Sequence, residues 1–279
     1  MSQPGSRAEP GPWREVAGGV YVCVVQPASV NVGLIVGSDF AMVVDTGSSP
    51  WQGRLLRHAA QEVTNAAIQA AVVTHWHYDH CFGLAGFADM STFAHESVAA
   101  RLQSREAAAV AADLGVEVSE LAVASREVAV ASAVDLGGRR VEIAHLGRGH
   151  TEGDLVVVVP DANVLFAGDL IESASAPWYG DDSFPHEWAG TLDSVIGLMT
   201  VDTVAIPGHG GPVNREFVFG QRGRVAAVSG EIRRLSEAGI SAFEALQAGS
   251  WPFPAPHITD GIDAGYRQLE GGRKTLPLI

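Results

Sequence analysis

Three short runs of apolar and β-branched residues, at 20–25, 30–36 and 41–44, open the patterned part of the chain. Gly18, Gly19, Pro27 and the segment 37–39 separate them. Runs of this length between turn residues predict antiparallel strands. Ser49-Pro50-Trp51-Gln52 then has the form of a helix start: a Ser cap, Pro at the first position and Gln three residues after the cap. The helix is expected to reach Val63. Residues 70–74 predict a buried strand that delivers the chain into His75-Trp76-His77-Tyr78-Asp79-His80, with a helix following that motif. A strand is expected at 91–94 and an Ala-rich helix over 96–114, broken near Ser104; the stretch 116–128 carries mixed signals. A second strand-rich block comprises 131–136, 140–145, 155–159 and 164–167. A helix over 191–199 leads to a strand at 203–206 that ends in Pro207-Gly208-His209-Gly210. The remainder reads as helix over 215–238, with Gly223 and Gly230 as weak points, then shorter helices at 241–247 and 260–269. Strands, helices, more strands and more helices, in two unequal halves, predict a sheet-on-sheet core with helices outside.

The formal net charge of −14 narrows the choice of partners. Such a surface repels nucleic acid and anionic membranes, and the basic residues form only isolated pairs, Arg139–Arg140 and Arg233–Arg234. With 18% charged and 47% apolar residues the chain has the makings of a sizeable core. Cys23 and Cys81 form no C-x-x-C motif and no disulfide framework, which fits reduced thiols and a cytoplasmic setting. Residues 1–13 are polar and rich in Gly and Pro, without the apolar stretch of a secretory signal, and are expected to form a loose tail. No apolar run approaches the ~20 residues of a membrane helix.

The densest chemical signal is His75-x-His77-x-Asp79-His80. Imidazole nitrogen and carboxylate oxygen are good zinc ligands. Residues two apart in an extended segment share a face, so His75 and His77 can grip one ion. The chain must then turn, which lets Asp79 and His80 face a second. Three further segments place a ligand type after a predicted strand: Gly149-His150-Thr151, Gly168-Asp169 and Gly208-His209-Gly210. Loops at one edge of a sheet core are where sites are commonly assembled.

Taken in order, Asp45, the motif at 75–80, His150, Asp169 and His209 resemble the five-motif signature of the metallo-β-lactamase superfamily, over about 13–217 of the chain. The resemblance implies an α/β fold: a four-layer αβ/βα sandwich spanning 14–214, followed by a short C-terminal helical extension, 215–279, packed on the same domain. It implies a binuclear site with two zinc ions per chain, iron and manganese being the alternatives. His75, His77 and His150 are expected on the first ion, Asp79, His80 and His209 on the second, and Asp169 between them. Asp45 is expected to hold the loop of the first motif without touching metal. Zinc lowers the pKa of bound water to ~7, so the implied reaction is attack by a metal-bridging hydroxide on a small ester, thioester, lactone or amide. Asp79 is the residue expected to orient that nucleophile or pass its proton.

Within the superfamily, the best-known lactamases carry Cys where this chain has Asp169, and a Lys three residues later that grips the substrate carboxylate; here that position is Glu172. This favours the glyoxalase II- and lactonase-like branch, with weak or promiscuous β-lactamase activity as one alternative and a mononuclear iron dioxygenase on the same scaffold as another. The C-terminal segment is shorter than the helical domain of glyoxalase II, which speaks against a glutathione thioester. The segment 177–188 follows Asp169 and is expected to lie over the metals. Its Trp178, Tyr179, Phe184 and Trp188 are candidates for an apolar substrate wall, or else pack the loop onto the body. Tyr179 is the candidate oxyanion donor. Trp76 and Tyr78 form the opposite wall or point into the core. Cys81 is read as a structural thiol, and Arg148 holds either an anionic substrate group or a neighbouring carboxylate. A small-molecule substrate and a monomer or homodimer complete the expectation.

Overall fold

Alternate residues of the central strands belong to different cores. The computed structural model describes residues 9–272. In strand β4 (Phe40–Val44), Ala41 and Val43 pack with helix α1 (Pro50–Val63), whereas Met42 and Val44 pack with strands of the other half of the molecule. The same two-residue alternation divides β10 (Leu155–Val159) and β11 (Val164–Glu172): Val156, Leu165 and Ala167 face helices, while Leu155, Val157, Val164 and Phe166 face the opposite sheet. Strands buried on both faces read as near-continuous apolar runs, because neither face meets water.

The first half contains β1 (Arg14–Ala17), β2 (Val20–Val25), β3 (Val30–Val36), β4, β5 (Ala67–Val72), β6 (Ser91–His95) and β7 (Arg126–Val128). Strands β1 to β4 pair antiparallel, and β4 to β7 pair parallel. Helices α1, α2 (Tyr78–Cys81), α3 (Val98–Leu102) and α4 (Arg105–Leu114) contribute to its outer core. The second half contains β8 (Ala131–Asp135), β9 (Arg140–His145), β10, β11 and β12 (Val204–His209). Helices α5 (Trp188–Leu198), α6 (Arg215–Glu237), α7 (Ala242–Ala248) and α8 (Ala255–Gly272) contribute to its outer core. The architecture is the αβ/βα sandwich, with a third apolar core between the sheets. The two halves are joined through the sheet by the antiparallel pairing of β3 and β12, where His209 lies opposite Val30.

Several local expectations hold in detail. Ser49 Oγ accepts from Gln52 N at 3.2 Å, and Pro50 opens α1. Ser104 interrupts the Ala-rich stretch as the cap of α4, accepting from Ala107 N. Others differ. Strand β1 was not anticipated, because its sequence, Arg14-Glu15-Val16-Ala17, has no apolar run. Strand β11 continues past 167 to Glu172, with irregular register around Gly168, whose positive φ of 51° lets the chain bend without ending the strand. Helix α6 passes unbroken through Gly223 and Gly230, since packing of Val218, Val225, Val228 and Ile232 overrides local propensity. Of the expected N-terminal tail, residues 1–8 lie outside the described residues, while Gly11 N donates to Val24 O at 3.0 Å. No helix of the described residues is long and apolar enough to cross a membrane.

Candidate metal centre

The site forms where the strands of both halves end along one edge. Past β4 comes Asp45, past β5 the 75–80 motif and past β9 His150, while Asp169 lies on the bent part of β11 and His209 ends β12. The side chains converge as two groups able to hold a metal ion: His75, His77, His150 and Asp169, and Asp79, His80 and His209, each with its ligand atoms within 4.8 Å of one another. Asp169 Oδ2 lies 3.4 Å from His150 Nε2 and 3.9 Å from His75 Nε2, and its Oδ1 lies 3.3 Å from His80 Nε2 and 3.6 Å from His209 Nε2. One carboxylate thus faces both groups.

Each imidazole presents one nitrogen to the centre and has the other tied back. His150 Nδ1 and His209 Nδ1 donate to the carbonyls of Trp178 and Ala28, both at 3.1 Å. A carbonyl only accepts, so these bonds fix a proton on Nδ1 and leave Nε2 as the nitrogen that faces the centre. Asp45 Oδ2 accepts from His80 Nδ1 at 2.8 Å and from Thr74 Oγ1 at 3.0 Å, and its Oδ1 takes Thr74 N at 2.8 Å. Having given its proton to Asp45, Thr74 Oγ1 is the acceptor for His75 Nδ1 at 3.1 Å. His77 is turned the other way: Nε2 faces Asp182 Oδ2 at 3.3 Å, and Nδ1 lies 2.8 Å from His150 Nε2. Such outer partners orient metal-binding imidazoles and raise their basicity.

Three buried atoms at the centre, His75 Nε2, His80 Nε2 and Asp169 Oδ1, have no hydrogen-bond partner. Orphaned polar atoms at this depth are costly, and a borderline cation with nitrogen and oxygen ligands is the group that would satisfy them. The electrostatics agree. Burial disfavours charge on every one of these imidazoles. It prevails at His75, helped by neighbouring His80, and at His150, whose pKa falls to about 4. At His209 the neighbouring carboxylates of Asp169 and Asp79 outweigh burial and lift the pKa to about 10; at His80 the charges of Asp169, Asp79 and Asp45 raise it likewise, and at His77 the neighbouring Asp182 carboxylate does so. The concentrated negative potential that draws protons here would equally draw divalent cations.

Sequence reasoning missed Asp182 and Thr74. Asp182 accepts from Trp76 Nε1 at 2.7 Å as well as facing His77, so it clamps the 177–187 loop onto the motif. A lone Asp in a Gly- and Asp-containing loop gives no local signal of this. An Asp182→Asn variant is expected to weaken metal binding by the first group ~10–100-fold while keeping the fold. Chelator competition measures this, and unchanged affinity would remove Asp182 from the site.

The candidate wall residues lie in different places. A cavity of about 500 Å³ beside the ligands is lined by Trp178, Trp76, Tyr78, Val110, Glu106 and Glu172 among others. Trp178 is half exposed there. Tyr179 is 1% exposed, packed against Trp188 and Phe253 in the outer core, with its hydroxyl unpartnered and its pKa pushed far up by burial. It is outside the cavity lining, because Gly261 of α8 admits its ring without a Cβ in the way. Trp188 is fully buried, donates to Leu170 O, and meets His150 edge-on at 5.7 Å between ring centres. Phe184 lies under Arg148, 4.3 Å from the guanidinium carbon, and Arg148 pairs with Glu187 at 2.6 Å. Cys81 donates to Trp76 O and belongs to neither ligand group.

The sequence of the metallo-β-lactamase superfamily model matches residues 25–209, and the chain belongs to that superfamily. Among characterised relatives, a metallo-β-lactamase type 2 of Bacillus sp. (strain 170) is 24% identical over 183 residues, covering 64% of this chain and 66% of that protein, just under two thirds of its length. The acyl-coenzyme A thioesterase MBLAC2 of Bos taurus is 28% identical over 213 residues, covering 68% of this chain and 76% of that protein. The crystal structure of DIM-1 metallo-β-lactamase superposes with a TM-score of 0.64 at 21% identity, covering 78% of this chain and 97% of that one, a likeness of fold.

Proposed function

We propose that the protein is a zinc-dependent hydrolase of small esters, thioesters, lactones or amides. The observation that carries this is the pair of ligand groups sharing Asp169, with each histidine's outer nitrogen held by a hydrogen-bonding or charged partner. His75, His77 and His150 would hold one ion, Asp79, His80 and His209 the other, and Asp169 both. Bound there, zinc supplies water with a pKa near ~7 and polarises the oxygen that gains charge. The reaction consumes one water: its oxygen bonds to the carbonyl carbon, the bond to the leaving oxygen, sulfur or nitrogen breaks, and the water's proton ends on the leaving group. Asp79, which lines the cavity and lies 3.3 Å from His209, is the residue proposed to take that proton in passage. The wall of Trp178, Tyr78 and Val110 would seat an apolar acyl part.

Asp169 and the thioesterase relative favour this reading over dedicated β-lactam hydrolysis; the lactamase relatives make nitrocefin a necessary member of the panel. The complete second group favours two ions over the single iron of an oxygenase. Protein purified without added metal should carry about two zinc per chain. It should turn over at least one of a set of p-nitrophenyl esters, thioesters, lactones and nitrocefin, with loss of turnover in His77→Ala. No metal-dependent turnover on any of them, or one iron per chain, would overturn the proposal.

A further inference from the structure

The cavity beside the ligands has a charge pattern that the ligands do not explain. Apart from the metal-binding groups, its ionisable side chains are Tyr78 and two carboxylates, Glu106 on α4 and Glu172 at the end of β11. Among the described residues, no Lys or Arg lines it. Arg101, close enough to act on Glu106, is committed to Glu152 at 2.6 Å, and Arg148 is committed to Glu187. Glu172 is 8% exposed, and its Oε1 accepts from the backbone amides of Ala174 at 2.7 Å and Ser175 at 3.3 Å. Burial and the nearby charge of Asp169 raise the Glu172 pKa, whereas those donors oppose the rise and fix the carboxylate's orientation. Among the described residues Glu172 has no ion-pair partner. His209 acts on it with positive charge from the metal centre, and a cation in the cavity would stabilise its charged form further. The exposed Trp178 and the Tyr78 ring offer aromatic faces, which attract ammonium groups further.

We infer that the substrate carries a positively charged group, an amine or quaternary ammonium, seated between Glu172, Glu106 and the Trp178 face while the scissile bond lies at the metal centre. This rests on the hydrolase reading for the scissile bond, but the charge preference is a property of the cavity itself. Anionic substrates, carboxylates and polyphosphate thioesters alike, meet two carboxylates in the cavity wall and a protein of net charge −14.

A matched series tests it: butyrylthiocholine as the cation, S-propyl thiobutyrate as the neutral reference and 3-(butyrylthio)propionate as the anion. Turnover is measured on the zinc-loaded protein, and binding of the corresponding non-hydrolysable amides is followed by tryptophan fluorescence with and without zinc. The expected order is cation, neutral, anion, with about tenfold between steps at low ionic strength, narrowing as salt is added. E106K should invert the order and E172Q should flatten it. Glu106 is an exposed helix residue, so E106K reports even where a change at Glu172 disturbs its loop. Equal or better binding of the anion overturns the inference and leaves the hydrolase reading intact. Preferential binding of the cation without hydrolysis of any member supports the inference and tells against that reading.

Discussion

An Asp169→Ala variant is expected to lose both metal ions and to fall in kcat/KM by about 10³–10⁴, or about 4–5 kcal/mol of transition-state stabilisation. The magnitude follows from the position of the carboxylate. Its two oxygens are divided between the groups, Oδ2 toward His75 and His150 and Oδ1 toward His80 and His209, all within 3.3–3.9 Å. Without it the first group is left with three imidazoles and no anion of its own, and the second with Asp79 as its only anion. Asp169 also opposes, by charge, the burial of His80 and His209, so its removal weakens the field that would gather cations. His209→Ala makes the informative contrast. It removes one ligand from the second group only, so about one zinc per chain should remain. Metal content after dialysis against a mild chelator, read beside circular dichroism to verify the fold, separates the two variants. An Asp169→Ala protein that keeps a full complement of metal and activity within tenfold of the parent would show that the carboxylate bridges nothing.

How much of this could be read from the chain depended on how local the determinant was. Strands β2, β3, β9 and β10 are legible to the residue, because β2, β3 and β10 are largely apolar runs, β9 alternates polar and apolar residues, and all are flanked by turn residues. The candidate ligand residues stand out because His and Asp in that density, at strand ends, have no packing use. Legibility fails where long-range packing decides. Strand β1 is strand only because β2 offers it an edge to pair with. Tyr179 and Trp178 are neighbours in sequence and equivalent by composition, yet one enters the outer core against Phe253 and the other stays half exposed at the cavity; the choice is made by α8, some eighty residues away. Asp182 is the same case in reverse. An ordinary loop carboxylate acquires its role from the distant Trp76 and His77 that it meets. The cavity's negative lining also needed the fold, since Glu106 and Glu172 lie on different halves of the sandwich.

Glycines give the sharpest measure of that contrast, and the second large effect is expected there. Gly53 lies inside α1, and Gly223 and Gly230 lie inside α6. Helix propensity alone predicts that alanine at any of the three stabilises by ~1 kcal/mol. At Gly223 and Gly230, both exposed, an added Cβ meets nothing within 4 Å, so each substitution should realise most of that gain and raise Tm by ~2–4 °C. At Gly53 the added Cβ would overlap the carbonyl oxygen of Gly83. That oxygen is backbone and cannot rotate aside, and Gly83 is itself pinned by its amide donating to Gly47 O at 2.9 Å. Gly83 in turn abuts the Thr46 carbonyl, while the Thr46 amide donates to His80 O at 2.8 Å. Relief of the clash must therefore separate α1 from the turn at Phe82–Phe87 or shift the segment that carries His80. Overpacking costs of ~1–3 kcal/mol or more exceed the propensity gain, so Gly53→Ala should destabilise by ~2 kcal/mol net and reduce metal affinity along with it. Denaturant melts of the three single variants, each with zinc titration, decide between sterics and propensity. A Gly53→Ala protein more stable than its parent would mean that the helix and the metal-bearing loop are not in the close backbone contact on which the site is built.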